Sequence, residues 1–401
     1  MGGLVCGLLR FGFVGAIVDA MVRANTSNWL DAPHNRDGFL RVDELTRVVP
    51  ISRGDSSAIP LPWSDRGLCD FGVEHLGRHL DLDAWMYETF TDGLLVIHGG
   101  EIAVERYGGR MIETDRHLLM SISKSITSLL CGVLVERGVI GITDLVTDHL
   151  HELRSTAWDG CVIEHLLDMT AGVNWNYDRD EVDILDVSAY RLSDRGDLPT
   201  STASWIRSID AFGQHGDAFR YVSLVSDVLG WVLERATGQR VEALISEHLW
   251  AQIGAEQDAS IIVDTGGFRI AEGGMSATLR DIGRLGLMCL ANGSLGGRQI
   301  VPPEWLDRLR TQRPDLTHAY ALSIEYEPAT PRAFYHDNWW ITDAANGHFS
   351  AFGIHGQRLT IHHPSDTVVV KLSSQPSMED PEVVALDTLG INAIVSSLTT
   401  T

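Results

Sequence analysis

Basic residues are scarce in this chain of 401 residues: 31 Lys and Arg stand against 54 Asp and Glu, a formal charge of −23 at neutral pH. No run of Lys or Arg interrupts the acidity, so the surface repels a phosphate backbone and nucleic acid is excluded as a natural partner. Cysteine is also sparse. Cys6, Cys69, Cys131, Cys161 and Cys289 are odd in number and include no Cys-x-x-Cys pair, the usage of reduced thiols in a cytoplasm rather than of a disulfide framework. No stretch attains the ~20 uninterrupted apolar residues of a membrane-spanning helix, so no membrane span is expected. The apolar start, "MGGLVCGLLRFGFVGAIVDAMVRA", lacks a basic leader and is cut by Arg10. It reads as a helix whose Leu4, Leu8, Val14 and Val18 cover a neighbouring surface, which makes the cytoplasm the expected location and leaves export open.

Two catalytic signatures are missing as well. The 16 histidines form no His-Glu-x-x-His, and His149 and His151 in "DHLHEL" are two apart, a spacing that diverges on a helix. No metal is expected. There is no Gly-x-Ser-x-Gly elbow either, and the glycines near Ser294 and Ser350 stand at the wrong offsets for one, which argues against an α/β-hydrolase.

What is present is ample apolar content, 44%, in a chain longer than one core usually holds, so two subdomains sharing a cleft are expected. Residues 1–70 read as an N-terminal helix and a winding segment packed on the core. In "GLLVIHGGEIAVERYGG" the apolar runs Leu94–Ile97 and Ile102–Val104 flank Gly99-Gly100, a β-hairpin signal. Ile122, Ile126, Leu129, Leu130, Val133 and Leu134 recur at helical spacing before Gly138, predicting a mostly buried helix over 121–137. Residues 145–250 form a mostly helical subdomain, with helices at "VIEHLLDMTAG", "TASWIRSI" and "LVSDVLGWVLERATGQ" and a polar stretch through Leu198. "TLRDIGRLGLMCLANG" opens like a capping box. Late strands follow at "ALSIEY", "FGIHGQRLTIHH" and "TVVVKLSS", then a last helix near "EVVALDTLGINAIVSSL". The order implies an α/β (α+β) fold in which 71–144 and 251–401 build one subdomain around an antiparallel sheet, 145–250 is inserted, and the active site lies between the two.

The stretch that carries chemistry is "MSISKSIT", Met120 to Thr127. On a helix Ser121 and Lys124 share a face, so the lysine nitrogen reaches the serine oxygen. A serine hydroxyl is a poor nucleophile until a base takes its proton, and a lysine depressed by burial and nearby charge supplies one. Ser121 also stands where unpaired backbone N–H groups face outward, as a developing oxyanion requires. A serine at a helix start is otherwise an ordinary N-cap, and Ser-x-x-Lys alone does not decide between the two. Ser123 and Ser125 lack the same relation to Lys124 and read as packing residues.

Context adds to the motif. A hairpin before it, a helical insertion after it and strands at the end are in the order of the serine β-lactamase and penicillin-binding-protein fold. "FRYVSLVSDVLGWVLERATG" places Tyr221 and Ser223 before a helix and resembles the Tyr-x-Asn or Tyr-x-Ser element of class C β-lactamases and related esterases. The Lys-Thr-Gly of β-lactamases is absent, and His355-Gly356-Gln357 stands there instead. "DAPHNR", "DRHLLMSISKS", "VDTGGF", "GGMSATLRDIGRLG", "NWW", "GIHGQ" and "VVVKLSS" together resemble the corresponding stretches of the nylon-oligomer (6-aminohexanoate-dimer) hydrolases, carboxylesterase-like members of that superfamily. The resemblance implies Ser121 as nucleophile, Lys124 as its base, Tyr221 as proton shuttle, and the N–H groups of Ser121 and Ile354 as the oxyanion hole. It implies no metal and no organic cofactor, with a small-molecule ester or amide as substrate and a homodimer as a compatible assembly.

The departures concern substrate. Those hydrolases hold the amide with a tyrosine after the "LDM" stretch, where gapless extension from Leu167-Asp168-Met169 puts Arg179, with Tyr177 nearby. Asp186 is the counterpart expected for an acidic substrate contact, and His355 is a further candidate contact. Glu272 falls where the family has a polar residue near the leaving group; it either favours an amine-bearing substrate or pairs with an arginine. Trp339 and Trp340 either wall the pocket or join the core. Hydrolysis and acyl transfer to an alcohol or amine differ in pocket access and not in nucleophile, so a transacylase is the alternative. A β-lactamase or D-amino-acid peptidase is less expected without a convincing export signal. A non-catalytic binding protein gives no reason to keep Ser121, Lys124 and Tyr221 together.

Overall fold

The hairpin expected about Gly99-Gly100 forms as β1 (Thr91–His98) and β2 (Glu101–Tyr107). Both glycines take positive φ, 59° and 80°, which a two-residue hairpin turn of matching twist requires. The computed structural model describes residues 23–64, 68, 71–191, 195–324 and 333–399; the N-terminal helix expected from Leu4, Leu8, Val14 and Val18 lies outside them. Strands β3 (Phe334–His336), β4 (Trp339–Asp343), β5 (His348–Gly353), β6 (Gln357–His362) and β7 (Thr367–Ser373) complete a seven-stranded antiparallel sheet of order β3-β4-β5-β6-β7-β1-β2. The early hairpin thus docks on the last strand, Val96 opposite Val369.

"TVVVKLS" is buried along its whole length because both faces of β7 are covered. Val368, Val370 and Leu372 enter the larger core. Val369 points the other way, with Leu94, Val96 and Val104, beneath α4 (Pro381–Thr399) and its Leu386, Ile391 and Ile394, as the two-residue period of a strand dictates. Each such side chain contributes roughly 1.5–3 kcal/mol on burial. α4 is long and apolar enough to cross a membrane, yet its apolar face is the one that covers this sheet.

A second, four-stranded antiparallel sheet is built from Val48–Ile51, Ala259–Ile262, Met275–Ala277 and His117–Leu118. It sets the chemistry in place. Leu118 pairs with Ser276 and the Leu119 N–H donates to the Met275 carbonyl, so the segment entering Ser121 lies beside the one leaving Glu272. The helix α1 (Ile122–Glu136) then runs through the interior, buried from Ile122 to Leu134 on every side and not on one broad face.

Two expectations change. "ALSIEY" is not a strand over its described residues: Ala321 ends a helix begun at Pro314, whose Leu316 and Tyr320, one turn apart, are buried, and residues 325–326 lie outside the described set. The polar stretch before Leu198 contains α2 (Tyr177–Val187), capped by the Asn176 side chain, which accepts the Arg179 N–H. Its acidic sequence hides an apolar face at Ile184, Leu185 and Val187.

Candidate active site

Ser121 sits at the N-terminal end of α1 with helical φ and ψ, and its hydroxyl makes no capping hydrogen bond. The oxygen is engaged elsewhere. Lys124, one turn on, brings Nζ to 2.7 Å of Ser121 Oγ, and the Tyr221 hydroxyl forms a second hydrogen bond to Ser121. Met120, just before, is held at φ 47°, a strained conformation for a non-glycine residue of the kind that gathers at functional turns.

Tyr221 closes the segment leading into α3 (Ser223–Thr237). Its ring stacks on Trp340 at 5.7 Å and meets Tyr335 edge-on at 5.8 Å, which fixes the phenol while Lys124 Nζ lies 5.3 Å from the ring centroid. On the other side of Ser121 runs the end of β5. A Cβ on Gly353 would lie 2.7 Å from the Leu119 carbonyl oxygen and 3.0 Å from the Ser121 nitrogen, so only glycine lets this strand approach. Ile354 follows. Among the described residues neither the Ser121 nor the Ile354 N–H donates to a main-chain carbonyl, and two free N–H groups beside one hydroxyl are what a tetrahedral oxyanion needs. His355 bends the chain there at φ 61°. Its Nδ1 donates to the Gln375 carbonyl at 2.7 Å and its ring packs on Phe39, so it shapes the strand end from behind.

The lysine differs from expectation. Lys124 is fully buried and its three hydrogens face three acceptors: Ser121 Oγ, the Glu272 carbonyl at 2.6 Å and Glu272 Oε2 at 3.4 Å. Burial alone would lower its pKa, but the carboxylates of Glu272 and Glu181 outweigh it and hold the ammonium above the ordinary lysine range. Burial likewise keeps Tyr221 above the ordinary phenol range, against the pull of Lys124. The resting pair is therefore ammonium and neutral phenol. Glu272 does not pair with an arginine: its partners are Lys124 and the Tyr190 hydroxyl, which donates to Oε1 at 3.0 Å.

Glu181 was not anticipated. It stands one helical turn beyond Tyr177 on α2, accepts from Ser223 Oγ at 2.9 Å and from Trp175 Nε1 at 3.1 Å, and is pushed up to about 7, first by burial and then by Glu272, against the attraction of Lys124. The visible signal was the i, i+4 pairing with Tyr177 on a capped helix. Because an ionised Glu181 stabilises the Lys124 ammonium, removing its charge lowers the pH at which the Lys124–Tyr221 pair gives up a proton. For a neutral ester, kcat/KM should rise with pH above neutrality, and in Glu181→Gln that rise should occur at lower pH. A pH–rate profile checks this; coincident limbs in the two enzymes would refute the coupling.

Other expected contacts are placed elsewhere. Arg179 is largely exposed and pairs with its neighbour Asp180 at 2.6 Å; Tyr177 donates to Glu379 Oε1 at 3.0 Å. Asp186 faces Arg195 at 3.6 Å. Trp339 does not wall the pocket: it is fully buried against Phe349, while Trp340, the next residue on β4, faces Tyr221.

Among the described residues two side-chain groups bring ligand atoms close enough for a metal, Cys161–His165–His215 and Asp168–His336–Asp337. Neither donor set fits one. His165 and His215 each accept a main-chain N–H on Nδ1, from Val162 and Gly172, so Nε2 carries the proton and offers no lone pair; burial also pushes the Cys161 thiol up. His336 lies 2.6 Å from Asp168 and, although burial opposes it, is shifted above the ordinary histidine range by Asp337 and Asp168, which favours the protonated ring, while Arg308 occupies Asp337. His149 and His151 turn to separate partners, Asp144 and the Thr147 carbonyl.

Comparison with known proteins agrees with this geometry. The Beta-lactamase family model matches residues 86–389. A 6-aminohexanoate-dimer hydrolase of Paenarthrobacter ureafaciens is 36% identical over 361 residues, covering 88% of this chain and 88% of its own. Esterase EstB of Burkholderia gladioli is 34% identical over 170 residues, 36% of this chain and 40% of its own. A solved structure from Bacillus anthracis, provisionally named 6-aminohexanoate-dimer hydrolase, superposes with a TM-score of 0.84 at 25% identity, covering 92% of this chain and 96% of that one. The antiparallel sheet flanked by helices, expected from the resemblance, is borne out.

Proposed function

The chain belongs to the Beta-lactamase family and is a serine hydrolase; from that premise we propose that it cleaves a carboxylic ester or amide through a covalent acyl-Ser121 intermediate. The observation that carries the reading is a helix-end hydroxyl that caps nothing and lies 2.7 Å from a buried lysine. With Lys124 donating into Ser121 Oγ, the hydroxyl's own hydrogen is directed to Tyr221. The Lys124–Tyr221 pair titrates as a unit. In the form that has already given up one proton to solvent, the form that grows as pH rises, it accepts the proton lost by Ser121 on attack. The carbonyl carbon bonds to Oγ, the Ser121 and Ile354 N–H groups take the charge on its oxygen, and the pair returns the proton to the departing alcohol or amine. Water repeats the sequence in reverse and frees the acid.

The 6-aminohexanoate dimer named for the Paenarthrobacter relative is a candidate substrate, but its recognition here would run through different side chains. Arg179 points to solvent, Tyr177 lies closer to Tyr221, and Glu272 is engaged by Lys124. Trp340 offers an apolar wall beside Tyr221.

A fluorophosphonate should form one covalent adduct, on the peptide containing Ser121, and the Ser121→Ala protein should form none. An unchanged adduct in the variant would overturn the assignment. Decay of the acyl-enzyme that quickens with added alcohol or amine would move the reading from hydrolase toward transacylase.

A further inference from the structure

Helix α3 delivers more than the segment that bears Tyr221. Asp227, one turn beyond Ser223, is fully buried. Its Oδ1 accepts the Glu272 N–H at 2.9 Å, while the preceding Ala271 N–H donates to the Arg269 carbonyl at 3.1 Å. Oδ2 is buried with no hydrogen-bond partner among the described residues. A core carboxyl that receives a buried main-chain donor from another segment acts as a clamp on that peptide, and a core oxygen without a partner is a burden that structure alone does not require. The carbonyl of the clamped residue, Glu272, is the closest contact of Lys124 Nζ, at 2.6 Å.

We propose that Asp227 is a positioning residue for Lys124: it fixes the Ala271–Glu272 turn so that the Glu272 carbonyl holds the lysine nitrogen against Ser121. It also ties that acceptor to the helix that places Tyr221, so base and shuttle share one support. The proposal rests on the roles given above to Ser121, Lys124 and Tyr221. Burial and Glu272 push the Asp227 carboxyl well up, so asparagine reproduces both its charge and its acceptor oxygen, whereas alanine removes the clamp.

The test counts active sites by fluorophosphonate titration, so that misfolded chains drop out of the rate. Asp227→Ala should lower kcat for a nitrophenyl ester by about 10- to 100-fold, as expected for a displaced catalytic group, with KM within about 3-fold of the parent. Its alkaline limb should also move, because Lys124 has lost a fixed acceptor. Asp227→Asn should rescue most of the loss and restore the limb. An Ala variant with the parental kcat and pH profile overturns the proposal, and so does an Asn variant as slow as the Ala one. Should the Ala variant not fold, Asp227→Leu refills the volume without an acceptor and is read in the same way. No variant is needed for the last check: the Glu272 amide of the unaltered protein should exchange hydrogen as slowly as the interior of α3, and exchange at the rate of an exposed loop overturns the clamp. Labelling that survives in Ser121→Ala would instead remove the catalytic reading itself, whatever Asp227 does.

Discussion

Ser121→Ala should reduce ester turnover by on the order of 10⁴- to 10⁶-fold, the scale seen when a serine nucleophile is removed from an intact site. A residual rate should persist, because the N–H groups of Ser121 and Ile354 remain to stabilise an attacking water's oxyanion. The same variant separates the two meanings a serine has at a helix start. Had Ser121 been an N-cap, its loss would cost about 0.5–2 kcal/mol of stability and leave chemistry alone. Its hydroxyl caps nothing, so the melting temperature should stay within error of the parent while turnover collapses. A destabilised variant with normal turnover would show the opposite assignment to be right.

Lys124→Met should lower kcat/KM by about 100- to 10,000-fold, the range attributed to general acid–base groups, while filling most of the lysine's volume. Unlike the serine change it should also destabilise the fold. Lys124 is fully buried and Glu272 almost so, and stripping one partner from a buried ion pair costs about 3–5 kcal/mol. Protons can relieve carboxylates left without a cation, so the stability deficit should be largest at alkaline pH and narrow as pH falls. Thermal melts across pH check the sign; a deficit that widens in acid would show that Lys124 is not the counter-charge of this cluster.

How much of this was readable in sequence depended on distance along the chain. Ser121 and Lys124 are a local pair, and helical spacing alone predicts the contact now measured at 2.7 Å. Tyr221 and Ile354 came from the family resemblance, since nothing nearby in sequence marks the residue that will reach Ser121 from another element. Arg179 was placed by counting residues, but a capped helix starts at Tyr177, and its first turn directs Arg179 outward and Glu181 inward. Trp339 and Trp340 look alike in sequence; on β4 they must face opposite sides, one into the core and one toward Tyr221. Burial and nearby charge predict a depressed Lys124, but the sign is the reverse because Glu181 and Glu272 come from separate segments that only tertiary folding gathers.

The pairing of β1 with β7, with Val96 opposite Val369, has a consequence for synthesis. At ribosomal rates of about 5–20 residues per second the hairpin is made roughly 15–50 s before the strand that covers its edge. Through that interval Leu94, Leu95, Val96 and Ile97 present an apolar strand with unpaired main-chain groups, the template on which chains join one another. Chains interrupted before β7 should therefore accumulate as aggregates, and a slower ribosome should lengthen the exposure.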